Sequence, residues 1–315
     1  MSAPTVPDVV ALEIAPPQPS GWDWFLSWRL EPAPLLVLLL LAAAYAYGVL
    51  VLRRRGDAWP PNRSVSFGIG LLAIAVATMS SLGVFDTTLF SVHAVQHMIL
   101  QMLAPVPLAL SAPVTLMLRT FRPRPRKHLL AVLHSPPAKV LGNPLVGLAG
   151  FLVSPMALYN SDWYGYTLDN PTVHLLSHVH FLTLGCVFFF PLLGLDPVPG
   201  RLPYPARILM VFLVLPLHVL LGISIMSSTQ VYGAEHYQHL ARSWGASALN
   251  DQQTGGAIMW AFGDIVGIVF LGALLLQWAK ADAREAERTD RHLDRLERIA
   301  AQRTSGGPST RTGPM

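Results

Sequence analysis

The sequence has a single cysteine, Cys186, among its 315 residues. One cysteine excludes an internal disulfide and any Cys-x-x-Cys metal or redox motif. The sequence also has no nucleophile and base at plausible spacing and no glycine-rich phosphate-binding loop, which are usual marks of enzymes. It has no internal repeat, and the connections between its apolar runs are too short for a second folded domain. We therefore expect a protein that is not an enzyme.

Charged residues are scarce, at 13% of the sequence against 52% hydrophobic residues, and the mean hydropathy is +0.44. These values are unlike those of soluble domains and predict a membrane protein. Apolar runs of ~20 residues recur, each long enough for a helix to cross ~30 Å of hydrocarbon. The predicted fold is all-α, a polytopic bundle of seven transmembrane helices. They run approximately over Pro34 to Leu52, Ser64 to Phe85, Leu89 to Leu110, Lys139 to Tyr159, His174 to Leu195, Ala206 to Ser228 and Gly255 to Trp278.

The basic residues lie almost entirely on one side of the predicted bundle. Of the 22 lysines and arginines, only Arg29 and Arg242 fall in segments on the other side. Cytoplasmic loops of membrane proteins are enriched in basic residues, so this bias places the N-terminus outside and the C-terminus in the cytoplasm. The net charge of +4 is therefore a topology signal rather than a sign of nucleic-acid binding. Attraction to anionic membrane lipid is a secondary consequence.

Four segments follow from this topology. Residues 1–33 are rich in proline and are predicted to be an irregular external segment. They lack the features of a signal peptide, so the first helix of the transmembrane domain, residues 34–279, is expected to be an uncleaved anchor. Residues 280–304 are predicted to form a charged cytoplasmic helix, because acid-before-base pairs recur four residues apart. Residues 305–315 are predicted to be disordered.

Histidines concentrate at one depth of the predicted membrane. At a rise of ~1.5 Å per residue, the histidines of the third, fifth and sixth spans all fall in the outer half. Ionisable side chains inside membranes usually face the bundle interior and mark functional sites. For any single histidine, a hydrogen-bonded contact between helices is the alternative. The set comprises His93, His97, His174, His178, His180 and His218.

The spacing of these histidines predicts which of them share a helix face. Residues four apart lie on one face, so His93, His97 and Gln101 form one polar line on the third span. His174 and His178 form a second line on the fifth span. We expect the two lines to face each other across a pocket that opens toward the outside.

Other side chains of the outer half are candidates for the same pocket. His180 points roughly opposite to His178, since two residues turn a helix by ~200°, and it is expected to serve another neighbour. Asp264 is the only acid deep in a span, where it could orient a ligating histidine or make a structural contact. Met98 and Met259 offer thioether sulfur, although methionine also fills gaps in cores. Imidazole and thioether suit copper, the thioether Cu(I) especially.

Four motifs between residues 93 and 260 resemble the multi-pass CtaG-type cytochrome c oxidase assembly factor family. Together they cover roughly residues 89–278. The resemblance implies a protein that helps to mature haem-copper oxidases by supplying copper from outside the membrane. It assigns the family's histidines to His93, His97, His174, His178 and His218. The motifs are HAVQHMILQMLAPVPLALSAP (93–113), HLLSHVHFLTLGCVFFFPLLG (174–194), LPLHVLLGI (215–223) and DQQTGGAIMW (251–260).

The functional hypothesis is a non-catalytic copper-binding assembly factor in the bacterial cytoplasmic membrane. Its expected partners are a haem-copper oxidase subunit, membrane lipid and a periplasmic copper donor, and nucleic acid is not among them. The alternative is a haem-binding membrane redox protein in which histidines of facing helices ligate haem from two sides. A transporter is a third class, but its polar path would be expected to continue into the inner half.

Overall fold

The structure, a computed structural model, describes residues 14–200 and 202–305, with side chains described as far as residue 299. These residues form helices joined by loops. The first residues of the predicted external segment and the predicted disordered tail beyond Ser305 lie outside the described residues. The α-helices are α1 Asp23–Leu26, α2 Pro32–Arg54, α3 Pro61–Met79, α4 Ser81–Phe85, α5 Phe90–Met98, α6 Pro105–Leu110, α7 Pro113–Thr120, α8 Pro123–Leu133, α9 Pro136–Leu141, α10 Pro144–Tyr159, α11 Trp163–Asp169, α12 Pro171–Leu193, α13 Tyr204–Ser227, α14 Ala234–His239 and α15 Ala248–Ser305.

The all-α membrane fold is confirmed, because six helical segments are long and apolar enough to cross a membrane. The fourth predicted span, Lys139 to Tyr159, is shorter in the structure, where α10 begins at Pro144 and has 16 residues. It falls below the ~20 residues that a perpendicular span needs. The count of seven spans and the predicted orientation therefore stay predictions. The six segments are Pro32–Arg54, Pro61–Phe85, Phe90–Thr120, Pro171–Leu193, Tyr204–Ser227 and Ala248–Ile299.

Several helices of this chain begin at a proline. Proline has a fixed φ and no N–H to lose in the first turn, so it favours the first helical position. Pro32, Pro61, Pro144 and Pro171 each begin one of the long helices. These four helix starts are therefore determined by residues close to them in the sequence.

The segment Phe90–Thr120 is a broken helix. After α5 the chain makes a π-helical turn over Ile99–Leu103, in which the backbone nitrogen of Ala104 donates to the Ile99 carbonyl at 2.8 Å. Pro105 follows and lacks the N–H of a regular helix. Single π turns inside helices are frequent at functional sites. Here the turn lies directly after the helix that holds His93 and His97.

A carbonyl freed by proline joins this broken helix to α10. Pro155 lies inside α10 and cannot donate to the carbonyl of Phe151, four residues earlier. The side chain of Gln101 supplies the missing donor, with its Nε2 at 2.9 Å from the Phe151 oxygen. Inside a membrane a freed carbonyl needs such a partner from a neighbouring helix. Gln101, predicted to continue the histidine line, therefore has a structural role.

The longest helix, α15, packs closely against α13 through glycine. A Cβ at Gly256 would lie 2.9 Å from the carbonyl oxygen of Gly222 on α13, so the two backbones are in contact. Small residues permit such close approach between membrane helices. The helix then continues without a break through residues 280–305. Its side chains from Glu285 to Ile299 are exposed, whereas its cytoplasmic position stays a prediction.

Asp196 caps α7 from a distant loop. Its carboxylate accepts hydrogen bonds from the backbone nitrogens of Val114 and Thr115 at 3.1 and 2.7 Å and from the Thr115 hydroxyl at 2.6 Å. The first N–H groups of a helix have no intrahelical acceptor, and a carboxylate there satisfies them. Asp196 is 4% exposed, so water cannot readily replace it.

Replacing Asp196 with alanine should lower the free energy of unfolding by roughly 1–2 kcal/mol, the usual cost of a lost N-terminal cap. Asp196→Asn keeps one acceptor oxygen and should lose less than half of that. Thermal unfolding of the detergent-purified protein measures both. Equal stability of Asp196→Ala and the unchanged protein would contradict the capping role.

Candidate metal centre

Two histidines of α5 form one side of the candidate site. His93 and His97 are four residues apart, and their ring centroids lie 4.0 Å from each other. They are 0% and 3% exposed, respectively. The predicted sharing of one helix face is therefore confirmed for this pair.

Two histidines of α12 form the opposite side. The rings of His174 and His178 lie 4.6 Å apart. Across the helix interface, His174 is 5.5 Å from His93 and His178 is 6.1 Å from His97, measured between ring centroids. The two predicted lines therefore meet, and four imidazoles form a closed ring of neighbours between α5 and α12.

Asp86, in the loop between α4 and α5, completes the cluster. Its Oδ2 lies 3.0 Å from Nε2 of His174, 4.0 Å from Nε2 of His178 and 2.7 Å from Nε2 of Gln96. Burial raises the pKa of this carboxyl, but the hydrogen bonds from His174 and Gln96 help to outweigh it and hold the pKa below its usual value. Asp86 is therefore a carboxylate and accepts hydrogen bonds only.

The hydrogen bonds around Gln96 determine the tautomers of the α12 histidines. The carboxylate of Asp86 and the carbonyl of Ala77, 3.0 Å away, can only accept, so both bind the Gln96 amide nitrogen. The Gln96 oxygen, 2.9 Å from Nε2 of His178, must then accept from that ring. His174 likewise donates its Nε2–H to Asp86. When neutral, both rings therefore carry their lone pair on Nδ1.

Several ring nitrogens in the cluster have no hydrogen-bond partner. They are both nitrogens of His93, Nε2 of His97 and Nδ1 of His174, each buried and unpartnered within the described part of the chain. A buried polar atom left without a partner costs ~1–3 kcal/mol. Four such atoms in one cluster are costly in a folded protein unless something binds them. The lone pair on Nδ1 of His174 is available for a ligand in particular.

The donor chemistry restricts what that ligand can be. Neutral imidazole binds zinc, copper, iron and nickel, whereas magnesium and calcium prefer oxygen ligands. A metal-bound histidine usually donates its second N–H to a carboxylate or carbonyl, which sets ring orientation and basicity. Asp86 and Gln96 hold His174 and His178 in this way. Asp86, His174 and His178 also place one donor atom each within 4.8 Å of one another, so the carboxylate could itself be a ligand.

An aromatic layer covers the α5 side of the cluster. Tyr159 and Tyr164 lie 5.3 Å apart between ring centroids, and Phe90 contacts both. The Tyr159 hydroxyl is 3.3 Å from Nδ1 of His97, and the Tyr164 ring is 5.1 Å from that of His93. Burial raises the pKa of Tyr164, so its phenol stays neutral. The layer excludes water while leaving one hydroxyl against the site.

His218 and Asp264 lie elsewhere in the bundle. The His218 ring packs on Gly263 of α15, where an added Cβ would be 2.7 Å from Nδ1. It lines a small cavity with Phe188 and Phe189, and none of the described ring contacts joins it to the other four histidines. Asp264 accepts a hydrogen bond from Trp260 at 3.0 Å. The structure therefore does not bring these two predicted residues into the cluster.

The remaining candidates also face away from the four rings. His180 is exposed on the opposite side of α12, as predicted, and its Nε2 lies 2.7 Å from the Ser154 hydroxyl. Met98 and Met259 are 1% and 2% exposed and belong to the main apolar cluster of the protein. Their sulfur atoms are packed as core side chains, which is the common role of methionine.

Asp86, Gln96 and Tyr159 are not among the site residues predicted from the sequence. Asp86 follows the second apolar run directly, and Gln96 lies beside His97. Both are polar residues next to a buried segment, which is the signal that could have found them. Nothing local distinguishes Tyr159 from other tyrosines at helix ends.

The DQQTGG sequence at the start of α15 positions the site helix. Asp251 accepts hydrogen bonds from the backbone nitrogen and the hydroxyl of Ser91 at 3.3 and 2.6 Å. A Cβ at Gly255 would lie 2.5 Å from Cδ1 of Phe90, so glycine allows α15 to pack closely here. The contact holds the first turn of α5, directly before His93.

The sequence of this chain matches a known protein family. The family described as cytochrome c oxidase caa3 assembly factor (Caa3_CtaG) matches residues 43–281. The chain belongs to this family. The predicted family resemblance is therefore confirmed.

Relatives of this Caa3_CtaG chain occur in mycobacteria. An uncharacterized protein of Mycobacterium bovis is 34% identical over 297 residues, covering 87% of this chain and 45% of the relative. An uncharacterized protein of Mycobacterium leprae is 35% identical over 286 residues, covering 89% of this chain and 43% of the relative. The chain thus spans less than half the length of these relatives. No solved structure is significantly similar.

Replacing Asp251 with alanine should loosen the first turn of α5, because the N–H and hydroxyl of Ser91 lose their acceptors. We expect the local opening free energy to fall by about 1–2 kcal/mol, or roughly a tenfold rise in amide exchange over residues 86–98. Hydrogen exchange with mass spectrometry measures this. Asp264→Ala, on the same helix, is the matched control and should leave that segment unchanged. Equal amide hydrogen exchange over this segment in the two variants would contradict the positioning role of Asp251.

Proposed function

We propose that the protein binds copper at the histidine cluster and supplies it to a haem-copper oxidase subunit in the bacterial cytoplasmic membrane. The observation that carries this proposal is the group of buried, unpartnered imidazole nitrogens between α5 and α12. Imidazole alone does not distinguish copper from zinc. Membership of a cytochrome c oxidase assembly family favours copper over zinc, because haem-copper oxidases contain copper and no catalytic zinc.

The residues of the cluster have separate roles in this proposal. His93, His97 and His174 carry the free nitrogens and would bind the ion. Asp86 accepts the Nε2–H of His174, which leaves the lone pair of that ring on its unpartnered Nδ1. Two or three imidazole ligands leave Cu(I) with few bonds, so an incoming ligand of the oxidase subunit can displace them one at a time. A periplasmic copper donor would load the site.

The alternative of a haem protein is less well supported by the geometry. Bis-histidine ligation places the iron and its porphyrin between two imidazoles on opposite faces. The rings of His93 and His97 are in contact at 4.0 Å, and those of His174 and His178 are 4.6 Å apart. The facing pairs, His93 with His174 and His97 with His178, are 5.5 and 6.1 Å apart between ring centroids. Because the neighbouring rings on each helix are in contact, a porphyrin between one facing pair would overlap the other facing pair.

Loss of two cluster histidines should abolish copper binding. We expect about one Cu(I) per purified protein and none in the variant His97→Ala with His174→Ala, as measured by anaerobic titration and elemental analysis. His180→Ala removes a histidine from the outer face of α12 and should keep full stoichiometry. Unchanged binding in the double variant, or a Soret band in the visible spectrum of the purified protein, would contradict the proposed site.

Asp86→Asn should weaken copper binding without changing its stoichiometry, because the amide cannot act as a carboxylate acceptor for both Gln96 and His174. Loss of the carboxylate behind a ligating histidine usually costs 10- to 100-fold in metal affinity. Competition with a Cu(I) chelator measures the change. Asp57→Asn, which changes an exposed acid in the loop between α2 and α3, serves as the control. If Asp86→Asn binds no copper at all while remaining folded, the carboxylate is a direct ligand rather than an orienting group.

A further inference from the structure

A second cavity lies beside the histidine cluster, on the side where α10 ends. It has a volume of about 800 Å³ and is bounded by the loop after α10, by α11 and by the segment 230–236. Three acids, Asp162, Asp169 and Glu235, line it, and no lysine or arginine is among its described lining residues. Asp169 is hydrogen-bonded to Nδ1 of His236 at 2.7 Å, so Asp162 and Glu235 are the two of these acids without a described side-chain partner. With the predicted orientation, the cavity faces the outside.

The lining of this cavity touches the cluster at two points. Tyr159 forms part of the wall, and its hydroxyl is 3.3 Å from Nδ1 of His97. His236 also lines the cavity, and its Nε2 donates to the Thr87 carbonyl at 2.8 Å, one residue after Asp86. The acidic cavity and the unpartnered nitrogens are therefore separated by single side chains.

The charge of the cavity suits a cation. A concave surface of one sign, backed by low-dielectric protein, concentrates oppositely charged ions and speeds their association. The histidine cluster behind it is buried: His97 is 3% exposed, its Nδ1 lies against the Tyr159 hydroxyl, and its Nε2 has no described partner. An ion that reaches Tyr159 would contact first the hydroxyl of Tyr159 and then the ring of His97, whose Nδ1 lies against that hydroxyl.

We propose that this acidic vestibule, lined by Asp162, Asp169 and Glu235, is the entry port through which a metal cation reaches the histidine cluster. The inference rests on the proposed copper site and adds its route of loading. The acids attract the ion and release it to the imidazoles, which bind it. Asp162 and Glu235 therefore increase the rate at which the ion reaches the site, and they are not ligands of the bound ion.

The test compares two pairs of charge-neutralising variants. Asp162→Asn with Glu235→Gln neutralises two vestibule acids, neither of which has a described side-chain hydrogen bond. Asp23→Asn with Glu31→Gln makes the same change of net charge on the same predicted face but outside the vestibule. Cu(I), supplied as its cationic acetonitrile complex without oxygen, is mixed with each protein in a stopped-flow instrument. Quenching of tyrosine and tryptophan fluorescence reports loading.

The vestibule pair should slow association about threefold to tenfold, the lower end of the effect expected for a focused electrostatic field. It should leave the stoichiometry and the dissociation rate unchanged, and its association rate should depend less on salt. The control pair should change the rate by less than twofold.

Equal association rates for the vestibule and control pairs would overturn the port while leaving the copper site intact. A lower stoichiometry in the vestibule pair would also overturn it, since the acids would then be ligands. Failure of the copper site itself looks different, because the unchanged protein would bind no Cu(I) or the variant His97→Ala with His174→Ala would bind it normally.

Discussion

Imidazole nitrogens buried without a partner are the constraint on which the rest of this structure depends. The protein places His93, His97 and His174 where water is excluded and where the surrounding helices offer few donors or acceptors. Each unsatisfied nitrogen raises the free energy of the folded chain. A metal ion removes that penalty by taking the lone pairs. The same cluster that is unfavourable without an ion is therefore well suited to bind one.

The scaffold around the cluster keeps the rings in place by contacts that are individually ordinary. Asp251 and Gly255 hold the start of α5, and the π turn after Met98 ends its regular hydrogen bonding. Gln101 repairs the backbone that Pro155 leaves open in α10. Because these contacts involve the backbone, they fix helix position rather than only side-chain conformation. The histidines are consequently arranged before any ion arrives.

Binding and release place opposing demands on such a site. A closed shell of ligands would retain the ion, whereas a donor must give it up. The structure combines a buried, aromatic-covered cluster with an acidic cavity next to it, separated by Tyr159. In the proposed function, attraction and coordination of the ion thus belong to different groups. Charge at the surface can then change the rate of loading without changing which nitrogens coordinate the ion.

Helical periodicity and hydropathy sufficed to predict the membrane-helix fold, the pairing of His93 with His97, and the outward direction of His180. These features depend only on residues near each other along the chain. The participation of Asp86 and the separation of His218 were decided by tertiary structure, because they depend on which helices pack together. Depth along a helix axis is a local property that residue counting can give. The angle at which one helix presents its histidines to another is set by contacts between distant segments, and only the folded chain determines it.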